Sequence, residues 1–201
     1  MARPPAIAVD TGVRVVLNVQ SLGLTDDQFL GLCSDNRDFR IEMGAQGELI
    51  IMPPPGSRTG RRSARIVQRL ANWTDQDGTG VCFGTDTGFT LPNRAKRGPD
   101  AAWISHDRWN GIPEEQQEKL APICPDFVAE LRSPSDRLSD IEEKMEEYIA
   151  NGARLGWLLD PFENRAYIYR PGQAAERIDN PTILSGGPVL PGFKFDFREI
   201  L

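Results

Sequence analysis

The sequence predicts an α/β (α+β) domain, a mixed central sheet flanked by helices. Three observations predict it. Strand-like and helix-like segments succeed one another in the order strands, helix, strands, helix, strands. The two long helical segments each carry one apolar stripe and so need a sheet to cover. Few strands are joined by tight hairpin dipeptides.

Each element has its own signal. Residues 1–20 read as an extended arm with a strand pattern in VRVVLNV. LTDDQFLGLC (24–33) reads as a short helix with Thr25 as N-cap and acids in its first turn. FRIEMGAQGELIIMPPP (39–55) reads as a hairpin around a glycine-containing turn, ended by three prolines. A clear helix follows from about Arg58 to Asp75, with Ser57 as N-cap. Ile66, Leu70 and Trp73 form its apolar stripe, while Arg58, Arg62, Arg65 and Arg69 form a separate basic one. VCFGTDTGFTL (81–91) reads as two strand segments or one bent strand, and GPDAAWIS (98–105) as another strand. The stretch from His106 to Pro125 reads as loop with a helical turn. PDFVAELRS (125–133) is a strongly apolar strand. SDRLSDIEEKMEEYIANG (135–152) is the second clear helix, stopped by Asn151-Gly152. RLGWLLD (154–160) and RAYIYR (165–170) are strands joined through Pro161–Asn164. The domain division expected is 1–38 as arm and short helix, and 39–201 as one globular domain.

Composition narrows the function classes. The chain has 201 residues, 39% hydrophobic and 26% charged, an ordinary water-soluble balance. No apolar run approaches the roughly 18 residues of a transmembrane helix, and no apolar stretch precedes the first acid, so neither membrane association nor secretion is expected. Three widely spaced cysteines without a CxxC pair favour a reducing, cytoplasmic setting. The single histidine, His106, removes any zinc site with two histidines within one chain. A Ser-His-Asp or Cys-His triad would have to run through that residue, which sits in the polar stretch SHDRWN. Asp, Glu, Lys, Arg, Ser and Tyr must carry most other chemistry.

The net charge is −6 and the pI about 4.9, which argues against tight electrostatic binding of nucleic acid by the whole body. Residues 57–97 reverse the sign: eight cations against three acids give +5 there and leave −11 elsewhere. Such a zone suits a confined polyanion site and suits equally well pairing with the acidic helices.

Two phosphate-loop patterns fail. GSRTG (56–60) precedes a helix but lacks the spacing and lysine of a P-loop. Gly78, Gly80 and Gly84 lead into a strand, where a dinucleotide fingerprint requires a helix. What survives is a pair of carboxylates. Asp100 opens the strand DAAWI and Glu130 lies within FVAEL. A charge inside a strand is costly unless it is paired or bound to a cation. By alternation Glu130 shares a face with Val128 and Arg132, opposite Phe127, Ala129 and Leu131. If the two strands are neighbours, the carboxylates converge as Mg²⁺ requires. An ion pair of Glu130 with Arg132 or with an arginine of the first helix is the alternative. On the second helix, Leu138, Ile141, Met145 and Tyr148 form the buried stripe, and Glu142, Glu143, Glu146 and Glu147 the solvent face. Lys144 falls at the edge of the buried stripe beside Tyr148, or pairs with Asp140 one turn earlier.

PDAAWIS followed by PDFVAELRSPSDRLSDIEEKMEEYIANGARLGWLLDP resembles the Uma2 family of endonuclease-like proteins, which share the PD-(D/E)XK, restriction-endonuclease-like fold. The likeness extends upstream through GELIIMPPPGSRTGRRSARIVQRLANW and GFTLP, covering roughly residues 40–195. It implies a metal-dependent endonuclease that hydrolyses phosphodiester bonds in nucleic acid, DNA before RNA. Asp100 and Glu130 match the two acids and would hold Mg²⁺ or Mn²⁺ with a backbone carbonyl near Leu131. Lys144 matches a lysine that has moved to the following helix. It would orient the attacking water or neutralise charge in the transition state. Arg132 stands where the standard E-x-K motif has its lysine, and is a secondary candidate with Asp86 and Tyr148. Arg58, Arg62, Arg65 and Arg69 are candidate contacts to backbone phosphates. Without a helix-turn-helix or zinc module, target selectivity would come from loops, a homodimer or a partner.

Two other classes compete. A catalytically inactive nuclease-fold module that binds nucleic acid or a protein fits the low pI and Arg132. A glycosidase using Asp100 and Glu130 would need a sugar groove, for which Trp103 and Trp109 are available.

Overall fold

The computed structural model describes residues 14–201. The chain divides into two compact units at Pro54/Pro55. The boundary expected at 38/39 lies before the hairpin, which here belongs to the first unit. The part of the predicted arm before residue 14 lies outside the described residues.

The first unit holds β1 (Val15–Asn18), α1 (Asp26–Asp35), β2 (Arg40–Met43) and β3 (Glu48–Met52). β3 pairs antiparallel with β1 on one side and β2 on the other. Thr25 caps α1 as its sequence predicts. Its hydroxyl accepts from the Gln28 amide at 3.2 Å, and the Gln28 side chain accepts from the Thr25 amide at 2.9 Å.

The second unit begins with α2 (Ser57–Asp77) and β4 (Gly80–Phe83), followed by the pair β5 (Phe89–Thr90) and β6 (Lys96–Arg97). Next come β7 (Ala101–Ser105), the short helices α3 (His106–Trp109) and α4 (Glu114–Gln117), and β8 (Phe127–Leu131). α5 (Leu138–Ala150), β9 (Leu155–Asp160), β10 (Arg165–Tyr169) and β11 (Glu176–Asp179) complete the central layer. β12 (Ile183–Ser185) and β13 (Lys194–Asp196) form a separate antiparallel pair, which the sequence reading left without an assignment.

Six strands make one mixed sheet in the order β11-β10-β9-β8-β7-β4. β8 and β9 are parallel, joined through α5; the other neighbours are antiparallel. Helices cover both faces. Ile66 and Leu70 of α2 pack with Trp103, Phe127, Trp157 and the C-terminal Phe193, Phe195 and Phe197. Ile141, Met145 and Tyr148 of α5 pack with Ala102, Val128, Leu158 and Tyr167 on the other face. Burying each such large apolar side chain stabilises by roughly 1.5–3 kcal/mol, so both helices are held mainly by these stripes. α5 sits close because β9 has Gly156 beneath it. A Cβ there would collide with the Met145 methyl and come within 3.4 Å of the Tyr169 Cβ.

Two boundaries differ from expectation. α2 includes Ser57; Gly56 takes the N-cap position, and no side chain caps the first turn. α5 starts at Leu138 rather than near 135, because the Ser133 amide donates to the Asp136 carboxylate at 2.7 Å and closes a turn first. The 81–91 segment forms two strand segments, one of the two readings its sequence allowed: β4 joins the large sheet, and β5 pairs with β6. Its end signal held for α5, whose chain leaves through Gly152 at φ 108°, a conformation that suits glycine. His106 is exposed, and all three cysteines are free thiols. Among the described residues no helix is long and apolar enough to cross a membrane.

Candidate active site

Strand alternation, sheet order and helix phase bring the site together. Phe127, Ala129 and Leu131 of β8 point to the α2 face, and Val128 to the α5 face. Glu130 therefore projects under α5, at only 6% exposure. β7 runs antiparallel to β8 with Ala101 opposite Ala129. Continued by one pair, that register would set Asp100, which lies just before β7, opposite Glu130. The Asp100 carboxylate also accepts from the Leu131 amide at 2.8 Å, which fixes it to the end of β8.

α5 supplies the cation. Lys144 Nζ lies 2.8 Å from Glu130 Oε1 and donates to the Gly98 carbonyl at 3.3 Å. Tyr148, one turn on and fully buried, donates its hydroxyl to the same Glu130 oxygen at 3.1 Å. Its ring lies 5.8 Å from the ammonium. Glu130, Lys144 and Tyr148 thus meet near the end of β8, and Asp100, just before β7, is tied to the adjacent Leu131 amide. Glu130 takes its counter-charge from Lys144, whereas the sequence alternative drew it from an arginine.

Arg132 does something else. Its Nη1 lies 2.7 Å from Oδ2 of the fully buried Asp160. The other Asp160 oxygen accepts from the amides of Phe162 and Glu163 at 3.0 and 3.2 Å. Arg132 therefore neutralises an acid that caps the β9–β10 turn. Asp86 is exposed on the wall of a groove of about 410 Å³ between α2 and the segment after β4. Among the described residues no three His, Cys, Asp or Glu side chains cluster as a metal site, so Asp86 adds no third carboxylate to Asp100 and Glu130.

The basic stripe of α2 does not act as one surface. Arg65 and Arg69 both reach Glu199, at 3.3 and 2.9 Å. Arg62 is buried, with its guanidinium 5.3 Å from the Phe162 ring centre. Burial, and then the charges of Arg58 and Arg61, push its pKa down. Arg58 is exposed, and Arg65 and Arg69 are half-buried.

Sequence reasoning missed a clamp. Glu147, assigned to the solvent face of α5, accepts from Arg97 Nε at 2.6 Å and from Asn93 Nδ2 at 2.9 Å. The Asn93 amide donates to Asn151 Oδ1 at 2.8 Å. These bonds tie the segment leading into Gly98 and Asp100 to the helix that carries Lys144. The available signal was the pair Glu147 and Asn151, four apart on one helix face and both able to accept.

The fold is similar to that of a protein from Anabaena variabilis whose crystal structure is described as a "putative nuclease belonging to DUF820". The TM-score is 0.72 at 22% identity, covering 88% of this chain and 97% of that one. No curated protein matches the chain. The family model Uma2, described as "Putative restriction endonuclease", matches residues 26–198, a longer span than the sequence motifs mark. With most of its length inside that match, and with a nuclease-like fold, the chain belongs to the Uma2 family.

Proposed function

We propose that this protein is a metal-dependent endonuclease that cleaves phosphodiester bonds in nucleic acid, DNA in the first instance. One observation carries the proposal: Glu130 near the end of β8 is paired with Lys144 of α5 at 2.8 Å, and Asp100, just before β7, is held by the amide of the next residue, Leu131. The family match and the nuclease-like fold support a nuclease with a nucleic-acid substrate.

The donor set fits a hard divalent cation. Two carboxylates on neighbouring strands are what Mg²⁺ takes from a protein, the remainder of its shell being water and substrate phosphate oxygens. Asp100 and Glu130 would hold the ion. When bound, Mg²⁺ or Mn²⁺ would lower the pKa of a water and neutralise charge on the phosphate. The chain's own groups do the rest. Tyr148 donates to Glu130 and thereby fixes the orientation of that carboxylate. The Leu131 amide does the same for Asp100. Lys144, held at Glu130 and the Gly98 carbonyl, would place its positive charge beside the oxygens on which charge develops. Arg132 is spent on Asp160, so it neither replaces Lys144 nor blocks it, and this removes one argument for an inactive module.

The test is plasmid nicking with Mg²⁺ or Mn²⁺, compared with EDTA and with Asp100→Ala and Lys144→Ala. Nicking by the wild type, abolished by EDTA and reduced at least about 100-fold in both variants, is the expected result. A wild type that retards DNA in gels but nicks it in neither metal would instead make the protein a binding module.

A further inference from the structure

α2 starts on Gly56 with no side chain closing its first turn, so its leading amides lack a side-chain cap. Arg58, Arg61 and Arg62 stand in its first two turns. Arg58 and Arg61 are exposed, whereas Arg62 is 6% exposed. Helical side chains lean toward the N-terminus, which carries the Arg62 guanidinium back over that first turn. There it is buried without a counter-charge. Its Nε is a buried donor with no acceptor, and among the described residues no carboxylate or carbonyl pairs with the group. It lies over the Phe162 ring. The deficit is confined to this end of the helix, because Arg65 and Arg69 further along share Glu199.

The place of this cluster gives it meaning. Phe162 lies in the turn after β9, which is parallel to β8 and ends beside it. β7 begins at the same edge with Asp100. The arginines and the carboxylate pair therefore serve one sheet edge from its two faces, α2 on one and α5 on the other. A polynucleotide crossing that edge would present neighbouring phosphates to both.

We propose that the first two turns of α2 bind a backbone phosphate next to the scissile one. Arg62 is the buried donor, and Arg58 and Arg61 are the exposed donors. The identity of the ligand rests on the nuclease reading; the need for an oxyanion rests on the unpaired guanidinium.

The experiment measures fluorescence anisotropy of a labelled duplex oligonucleotide in EDTA, across a salt series. Arg62→Gln and the double variant Arg58→Gln/Arg61→Gln are each expected to bind about tenfold more weakly. The slope of log affinity against log salt should fall by about one for each arginine removed. The double variant changes only exposed side chains, so it stands as the test if Arg62→Gln folds poorly. Arg177→Gln, which removes the same charge from β11, should bind like the wild type. Equal losses with 5′-hydroxyl and 5′-phosphate oligonucleotides assign an internal phosphodiester; a loss confined to the 5′-phosphate form assigns a terminal phosphate. Wild-type affinity and slope in the α2 variants overturn the proposal, as does a wild type that binds no oligonucleotide. Plasmid nicking is scored separately. Weakened binding in the variants with no nicking in any metal keeps the subsite and removes the nuclease, and nicking with unaltered binding does the reverse.

Discussion

Glu130 is an acid in the middle of an apolar strand, and its two partners set what it can do. A buried ion pair is seldom strongly stabilising as a pair, but removing one member strands the other. Lys144→Met should therefore destabilise the protein by about 3–5 kcal/mol, since Glu130 would stay buried without the ammonium that lies 2.8 Å from it. The double variant Glu130→Gln/Lys144→Met should recover much of that loss in urea unfolding while remaining inactive. A double variant no more stable than Lys144→Met would mean that the two groups are not energetically paired. Tyr148→Phe removes a single hydrogen bond to a charged group. It should cost about 1.5–3 kcal/mol and slow nicking without abolishing it. The orientation of Lys144 was legible in the sequence because the glutamates around it mark the opposite arc of the helix. The diversion of Arg132 was not legible, because it depends on Asp160, an acid 28 residues away that becomes a neighbour only when β9 lies parallel to β8.

Elements are joined by their faces, and one joint here is polar. α5 is held to the sheet by Ile141, Met145 and Tyr148, which fixes its position over β8 and β9. Its relation to the segment before β7 depends instead on Glu147 and Asn151. Glu147→Ala should free that segment more than it weakens the fold. Amide exchange across residues 93–98 should accelerate, nicking should fall about tenfold or more, and global stability should drop by about 1.5–3 kcal/mol. Unchanged exchange at those amides with reduced nicking would place Glu147 in direct contact with substrate rather than in a clamp. The helices were readable from one residue stripe each, and the apolar strands from their runs. What failed were the edges. Whether Ser57 or Gly56 caps α2, and whether Asp136 closes a turn before α5, are decided by competing local hydrogen bonds of similar strength. Glu147 looked solvated because a helical wheel records neighbours within the helix and none outside it.

At the scale of the molecule, a sheet with a helix on each face was legible from order and amphipathicity, and β7 and β8 are neighbours, as a convergence of Asp100 and Glu130 requires. The neighbourhood itself was not legible, since strand order depends on non-local pairing. The same burial that builds the two cores also sets how stability responds to alkali. Cys124 is buried in the α5-side core, where its thiol donates to the Tyr148 carbonyl at 3.4 Å. Burial pushes its pKa up to about 12, and burial followed by the Asp75 charge pushes Cys82 up to about 11, from 9.0 for an unburied thiol. Below pH 9 both thiols are protonated in folded and unfolded chains alike, so they add no pH dependence. Above it the unfolded chain releases protons that the folded chain retains, and stability falls by up to about 1.4 kcal/mol per pH unit for each thiol until the folded pKa is reached. Urea midpoints measured from pH 7 to pH 11 should therefore decline above pH 9, and Cys124→Ala should decline more gently than the wild type, whatever its stability at neutral pH. Parallel curves for the two proteins would show that Cys124 ionises as readily in the fold as outside it, which its place in the core forbids.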